Sequence, residues 1–326
     1  MPEPALAENQ VRLEVSYCGV CGTDLQVLHG TFPSYPPVIL GHEFVGRVIE
    51  HGAAVRGRVD RSARYAVLGA TAVTCGRCRY CRSGHFMLCP ERRGMGHGVH
   101  GAFARYACVR PDQLFRLDDD VSEEAGALVE PLAAAVHAVT EVTHVRPGDI
   151  ALVSGPGPIG LLCLLVLVHH GIQTIVAGTT ADAGRLALAR ELGAACVVDV
   201  NKDRLEEAVR DETRRAGVDV AFEAAGVAAS ATACLEALRP QGRYTQIGHF
   251  GRDVTVPFDR IGFRELRIQG AVGYTAATWD RTLRLLGRGL GPSPVVTHRL
   301  PLERWREGFE LFERKEAIKV LLRSDA

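Results

Sequence analysis

The stretch Leu152–Val166, LVSGPGPIGLLCLLV, decides the fold. Its apolar opening reads as a strand and the run from Pro158 onward as a helix. Between them Gly155-x-Gly157-x-x-Gly160 sets glycines in a turn at the mouth of that helix. One glycine makes the tight turn, one lets the backbone approach a pyrophosphate, and one packs helix against strand. The helix N-terminus adds free N–H groups and a positive dipole end. Three such glycines could also serve an ordinary turn, but their place between strand and helix predicts a dinucleotide site at Gly155, Gly157, Pro158, Ile159 and Gly160.

Working outward, strand-like and helix-like segments alternate from Ala125 to about Gly248. The helical stretch EEAGALVEPLAAAVHAVTEV leads to the strand IALVSG, and TIVAG, ADAGRLALARELG, CVVDV, a charged helix, VDVAFEAA, a further helix and GRYTQIG follow. Alternation of this length implies a parallel sheet covered on both faces. The first third instead reads as β-rich, with short apolar runs at Val11–Val15, Phe44–Ile49 and Phe103–Val109. The tail from Tyr274 reads as helical, with a final strand in IKVLLR. The expected fold class is α/β, with a β-rich domain over 1–132, a doubly wound parallel-sheet domain over 133–272, and a return to the first domain over 273–326.

The second strand of the predicted nucleotide fold ends at Gly178-Thr179-Thr180. An NAD site usually places a carboxylate there for the ribose 2′-hydroxyl. Asp182 comes slightly late and Arg185 lies further along. Small hydroxyl residues leave room for a 2′-phosphate, so Thr179, Thr180 and Arg185 favour NADP over NAD. The other reading gives the ribose to Asp182 or a water and the site to NAD.

Composition narrows the class. Lys plus Arg equals Asp plus Glu, 38 each among 326 residues. No net field draws the chain to nucleic acid or an anionic membrane. The apolar run Ile159–Val168 is too short to span a bilayer. The N-terminus MPEPALAENQ shows no secretory pattern, so a cytoplasmic protein is expected.

Four of the ten cysteines fall in CGRCRYCRSGHFMLC. Cys75, Cys78, Cys81 and Cys89 supply four thiolates from one loop, which fills a zinc tetrahedron and leaves no position for substrate. That predicts a structural site; a zinc ribbon would use two well-separated C-x-x-C pairs and a basic surface. A second metal site is left open by spacing alone. Cys21, His42, Glu43 and Glu130 are scattered, and each has an ordinary explanation as a buried thiol, core histidine or helix carboxylate. A redox reading of Cys18 and Cys21 belongs beside a thioredoxin-like unit, which this segment is not.

The motifs GVCGTD, GHEFVGRV, the cysteine loop, GAFARYACV, EPLAAAVHAV, RPGDIALVSGPGPIGLL and IKVLL occur in that order over nearly the whole chain. Together they resemble the zinc-dependent medium-chain alcohol dehydrogenase family, near its polyol (sorbitol-type) and threonine dehydrogenase branches. The resemblance implies a GroES-like catalytic domain, a Rossmann cofactor domain and an active site in the cleft between them. It also implies two Zn2+ per chain, one catalytic and one structural, NADP or NAD, and a homodimer or homotetramer. Cys21 and His42 become ligands of the catalytic zinc, and Glu43 a ligand or its close neighbour. Glu130 stands where simple alcohol dehydrogenases use cysteine and the polyol branch uses glutamate. The implied reaction transfers hydride between NAD(P) and a secondary alcohol or ketone of a polyol, sugar, amino-cyclitol or amino acid. Thr23 would pass the hydroxyl proton outward and Asp24 would orient a ligand.

The chain departs from that pattern at Gln26, where many relatives have a relay histidine. Glutamine cannot exchange a proton near pH 7, so His29 or water is expected to take over. Relatives also usually carry further β-strand sequence before PEPALAENQVRLEV, and its absence would leave a barrel edge uncovered. A zinc-free quinone or enone reductase of the same fold would lack the cysteine loop and the Cys21, His42, Glu130 set. A non-catalytic zinc- or nucleotide-binding regulator would have lost the second set.

Overall fold

The structure is a computed structural model and describes residues 3–324. In chain order its strands are β1 (Val11–Gly19), β2 (Glu43–His51), β3 (Arg64–Val67), β4 (Tyr106–Val109), β5 (Leu114–Arg116) and β6 (Ile150–Ser154). There follow β7 (Gln173–Gly178), β8 (Cys196–Asp199), β9 (Val218–Glu223), β10 (Leu238–Gln246), β11 (Arg267–Gly270), β12 (Val296–Pro301) and β13 (Lys319–Arg323). The chain divides into two compact units: up to Pro131 together with the residues from Tyr274, and Leu132–Gly273.

The first unit is built on a sheet in the order β12-β13-β1-β2-β3-β5, with β4 also paired to β1. Along β1, Val11, Leu13 and Val15 are buried at every second position, the period of a strand with one face in the core. They pack with Phe44, Val48, Tyr65, Val67 and Met95. Strand β1 is covered along its length: β4 pairs with Val11–Glu14, and β13 pairs antiparallel with Tyr17–Gly19. The last strand of the chain is thereby laid against the first. Its residues Lys319–Leu322 are all buried, which puts a lysine inside a core.

The second unit carries a parallel sheet in the order β11-β10-β9-β6-β7-β8. Counted from β6, this is the order 3-2-1-4-5-6 of the doubly wound dinucleotide fold, which reverses between β6 and β9. Ligands of such sheets bind at the carboxyl ends of the strands flanking the reversal. The turn Gly155–Gly157 sits there and the helix Pro158–His169 follows it. Seven of that helix's residues, from Gly160 to Leu167, are buried, as a helix apolar all round requires.

The segment expected as one helix over Glu123–Val142 is three. Helices Glu123–Ala127 and Val129–Val136 are followed by a π-turn over His137–Val142. There Thr143 N–H reaches back five residues to the Ala138 carbonyl (3.0 Å), and Thr140 Oγ1 donates to the Val136 carbonyl (2.8 Å). Hydroxyls that bond preceding carbonyls in this way loosen the α ladder. Phe103 also precedes its strand and lies in the turn before Tyr106.

Candidate functional site

Cys21 caps the short helix Gly22–Leu28. The buried carboxylate of Asp24 turns back on it: Oδ2 accepts from the Cys21 N–H at 2.9 Å and Oδ1 from the Gly41 N–H at 3.1 Å. Oδ1 also lies 3.5 Å from His42 Nδ1, a charge contact too long for a hydrogen bond. One acidic side chain therefore joins the segments carrying Cys21 and His42. Gly41 must be glycine on two counts. Its φ is +90°, and a Cβ there would come within 2.8 Å of the buried Cys18 thiol and closer still to Phe103.

A sulfur of Cys21, a ring nitrogen of His42 and a carboxylate oxygen of Glu43 all lie within 4.8 Å of one another. Thiolate, imidazole and carboxylate form a donor set that suits zinc. His42 Nδ1 is buried without a hydrogen-bond partner. With that nitrogen turned to Asp24, Nε2 is left for a metal, the usual arrangement in which a carboxylate orients a ligating imidazole. Burial opposes charge on His42, but the Asp24 carboxylate and Cys21 outweigh it and raise its pKa well above the ordinary value. A site this rich in acceptors is suited to a cation.

Glu43 opens β2 and is fully buried. Both its oxygens accept from Lys319 Nζ, at 2.9 and 2.7 Å, and the same ammonium donates to the Val20 carbonyl at 3.0 Å. The pair sits so close to β1 that a Cβ on Gly19 would overlap Glu43 Oε2 at 2.2 Å. Lys319 is the site residue that sequence reasoning missed. The available signal was a single cation inside the apolar strand IKVLL, since a buried charge must be paired.

Glu130 lies in the helix Val129–Val136 and outside the 4.8 Å group. Its Oε1 accepts from the Tyr274 hydroxyl at 2.8 Å, and burial raises its pKa. Thr23 is half-buried on the Cys21 helix. His29 is half exposed at the end of that helix, with Nε2 3.7 Å from Glu313. His97 packs edge-on to Phe32, and burial, then the Arg92 guanidinium, lowers its pKa to about 4.

The four thiols of Cys75, Cys78, Cys81 and Cys89 also cluster within 4.8 Å. The chain wraps them with its own N–H groups: Cys78 N donates to Cys75 Sγ (3.3 Å), Cys81 N to Cys78 Sγ (3.4 Å) and Cys75 N to Cys89 Sγ (3.5 Å). The bond from Cys78 N–H, with that from the Arg77 N–H, lowers the Cys75 pKa to about 7, whereas desolvation and neighbouring thiols push Cys81 up to about 12. Four thiolates cannot share this space without a cation, and a tetrahedral zinc answers that need.

In the second unit Gly155 has φ +103°, and a Cβ there would meet the Ala225 N–H at 2.6 Å. The loops after β6 and β9 thus touch backbone to backbone at the sheet's reversal. Gly157 begins the helix with open space around it, and Gly160 passes so close to the Gly155 carbonyl that a Cβ would overlap it at 2.0 Å. Pro158 and Ile159 form the first helical turn. At the end of β7, Asp182 Oδ2 accepts from Thr179 N and Oγ1, and Thr180 Oγ1 donates to Asp199. Arg185 is 8 % exposed, with its guanidinium 3.5 Å from Asp182. It faces the interior beside a carboxylate, and burial lowers its pKa.

The two units thus present the metal donor set and the phosphate-binding turn of a metal- and dinucleotide-dependent dehydrogenase. Residues 7–119 match the alcohol dehydrogenase GroES-like domain and residues 158–288 the zinc-binding dehydrogenase domain. The chain is 35% identical to sorbitol dehydrogenase of Halalkalibacterium halodurans, over 98% of this chain and 93% of that protein. It is also 35% identical to D-arabitol-phosphate dehydrogenase of Enterococcus avium, over 99% and 92%. A Sinorhizobium meliloti 1021 structure, described as a zinc-binding dehydrogenase bound to NADP, superposes with a TM-score of 0.90 at 31% identity, covering 99% of this chain and 94% of that one. The chain belongs to the zinc-dependent medium-chain alcohol dehydrogenase family and is an NAD(P)-dependent alcohol oxidoreductase of it.

Two outcomes follow from this geometry. Cys21→Ala should remove one of the two metal equivalents and leave the melting temperature near wild type, whereas Cys81→Ser should lower it as the loop loses its clamp; metal analysis with calorimetry reads both. Because His97 binds a proton less readily folded than unfolded, stability should fall as pH drops from about 6.5 towards about 4. His97→Asn should flatten that part of the stability–pH curve measured by denaturant unfolding.

Proposed function

We propose that the chain oxidises a secondary alcohol of a polyol or related sugar alcohol with NADP as the preferred acceptor, and reduces the corresponding ketone. The observation that carries the proposal is the Cys21, His42, Glu43 donor set, with the carboxylate Glu130 in place of a second thiol. When bound, zinc supplies Lewis-acid stabilisation of charge on the alcohol oxygen, and the dinucleotide accepts the hydride.

The protein's own groups do the rest. Cys21 and His42 hold the metal, and Asp24 fixes both through the Cys21 and Gly41 amides. Lys319 balances the charge of Glu43, and Glu130 serves the metal or its water. The Thr23 hydroxyl accepts the alcohol proton and passes it to solvent. In the second unit the N–H groups opening the helix at Gly157 bind the pyrophosphate. NADP is favoured because Asp182 is buried and already accepts from Thr179. Asp182 is thereby turned to the protein and not to a ribose hydroxyl. Thr179 and Thr180 are the small side chains that leave room there, with their hydroxyls donated to Asp182 and Asp199, and the inward-facing Arg185 shapes the turn through Asp182.

We further propose a cytoplasmic homodimer. None of the ten cysteines is joined in a disulfide, as a reducing compartment allows, and no helix among the described residues is long and apolar enough to cross a membrane. Among the described residues strand β11 pairs only with β10 and leaves its outer edge open, with Phe263 89% exposed nearby and Ile268 and Val272 also exposed. Such an edge is a template for pairing with a second copy.

Steady-state assays of nicotinamide absorbance with NADP and NAD, across pentitols, hexitols, their phosphates and 3-hydroxy amino acids, test the activity. Turnover of a polyol with higher kcat/KM for NADP is expected; equal kcat/KM values would overturn the cofactor preference, and turnover of the amino acids alone would overturn the substrate class. Light scattering tests the assembly. Wild type should be a dimer and Ile268→Lys a monomer, and a wild-type monomer would refute the pairing.

A further inference from the structure

A chain of side chains with no role so far runs from the cysteine loop to Glu130. Phe86 lies between Cys81 and Cys89, in the short turn Phe86–Leu88 of the cysteine loop, and is buried. Its ring packs edge-on to that of Tyr274, with centroids 6.2 Å apart. Trp279 braces Tyr274 from another side at 5.5 Å, and Phe115 backs Trp279 at 4.9 Å. Tyr274 and Trp279 are fully buried, so the phenol ring is held by its packing, in which Phe86 is the contact from the Cys75–Cys89 loop. The Tyr274 hydroxyl ends this aromatic stack and donates to Glu130 Oε1 at 2.8 Å.

The two carboxylates of the site are thus held differently. Both oxygens of Glu43 accept from Lys319. Glu130 is bound by a neutral phenol at Oε1, which leaves Oε2 as the oxygen that can serve the metal or its water. Glu130 lies on the helix Val129–Val136 and cannot adjust by backbone movement without disturbing that helix. The hydrogen bond that the structure gives its side chain is the one from that phenol.

We propose that Tyr274 is a positioning residue: its hydroxyl fixes the Glu130 carboxylate, and its ring transmits the condition of the cysteine loop to that carboxylate through Phe86. The inference rests on the metal-dependent dehydrogenase reading above and deepens it. It gives the loop a task beyond stability, because a loop that loses its metal or its packing releases Phe86, and with it the phenol that aims Glu130.

The test uses the full chain loaded with cobalt(II), in the wild type, Tyr274→Phe, Phe86→Leu and the double variant. The band absent from Cys21→Ala marks the Cys21 site. Tyr274→Phe keeps the ring and should leave melting temperature and total metal unchanged. It should shift the Cys21-site band, weaken metal affinity there by on the order of 10–100-fold against a chelator, and lower kcat more than it raises KM. Phe86→Leu should shift the same band, and the double variant should shift it no further than Tyr274→Phe alone, the non-additivity of residues acting in series. A wild-type band and chelator rate in Tyr274→Phe would overturn the positioning role. Additive shifts in the double variant would overturn the link through Phe86. Those spectral changes in a protein that turns over no alcohol with NAD or NADP would refute the dehydrogenase reading and leave the positioning of Glu130 standing.

Discussion

The pairing of Lys319 with Glu43 is the constraint to which the first unit is fitted. Moving two charges out of water is expensive, and a buried pair is tolerated only where geometry and further hydrogen bonds compensate. Here both carboxylate oxygens and the Val20 carbonyl surround one ammonium. The pair needs β13 beside β1, β2 beside β1, and a glycine at position 19 to let the carboxylate through. The same arrangement seats Glu43 next to His42 and brings the first and last strands into one sheet. A lysine in a core, costly by itself, is thus the condition for placing an acidic group at a cation site.

Asp24 works on a smaller scale with the same logic. It spans from the helix it occupies to the turn before β2, and its partners are backbone amides that cannot titrate. Cys21 and His42, twenty-one residues apart in sequence, are thus tied through one side chain. The cysteine loop solves its own problem locally, its thiols accepting from amides of the same loop. One centre is organised by long-range contacts and the other by a short loop. That difference explains why one reads as scaffold and the other as the reactive place.

Much of the second unit was legible in the sequence because its signals are local. The glycine turn, the buried helix after it and the alternation of strands and helices each occupy a contiguous window. Strand β11, Arg-Ile-Gln-Gly, and strand β12, Val-Thr-His-Arg-Leu-Pro, were not legible. Both are largely polar and become strands only because a neighbour offers them a ladder. In the site, the four cysteines announce themselves by spacing, while Cys21, His42, Glu43 and Glu130 were connected only through family likeness. Lys319 and Tyr274 were invisible as partners, since they meet Glu43 and Glu130 across 276 and 144 residues. Pattern reading finds what recurs along the chain, and such meetings leave no period behind. The helix expected over Glu123–Val142 shows the reverse limit, where hydroxyl groups that are neutral in a pattern alter the ladder in space.

The return of the C-terminal strand to the first sheet also orders the protein's birth. Leu132–Gly273 is one continuous stretch, whereas the other unit is closed by residues from both ends of the chain. On a ribosome the parallel-sheet unit can emerge whole while Glu43 still lacks its counter-ion, because Lys319 follows Gly273 in sequence. A nascent chain would therefore hold a folded nucleotide unit before it has an assembled metal centre. The centre is assembled only once the strand carrying Lys319 has joined β1.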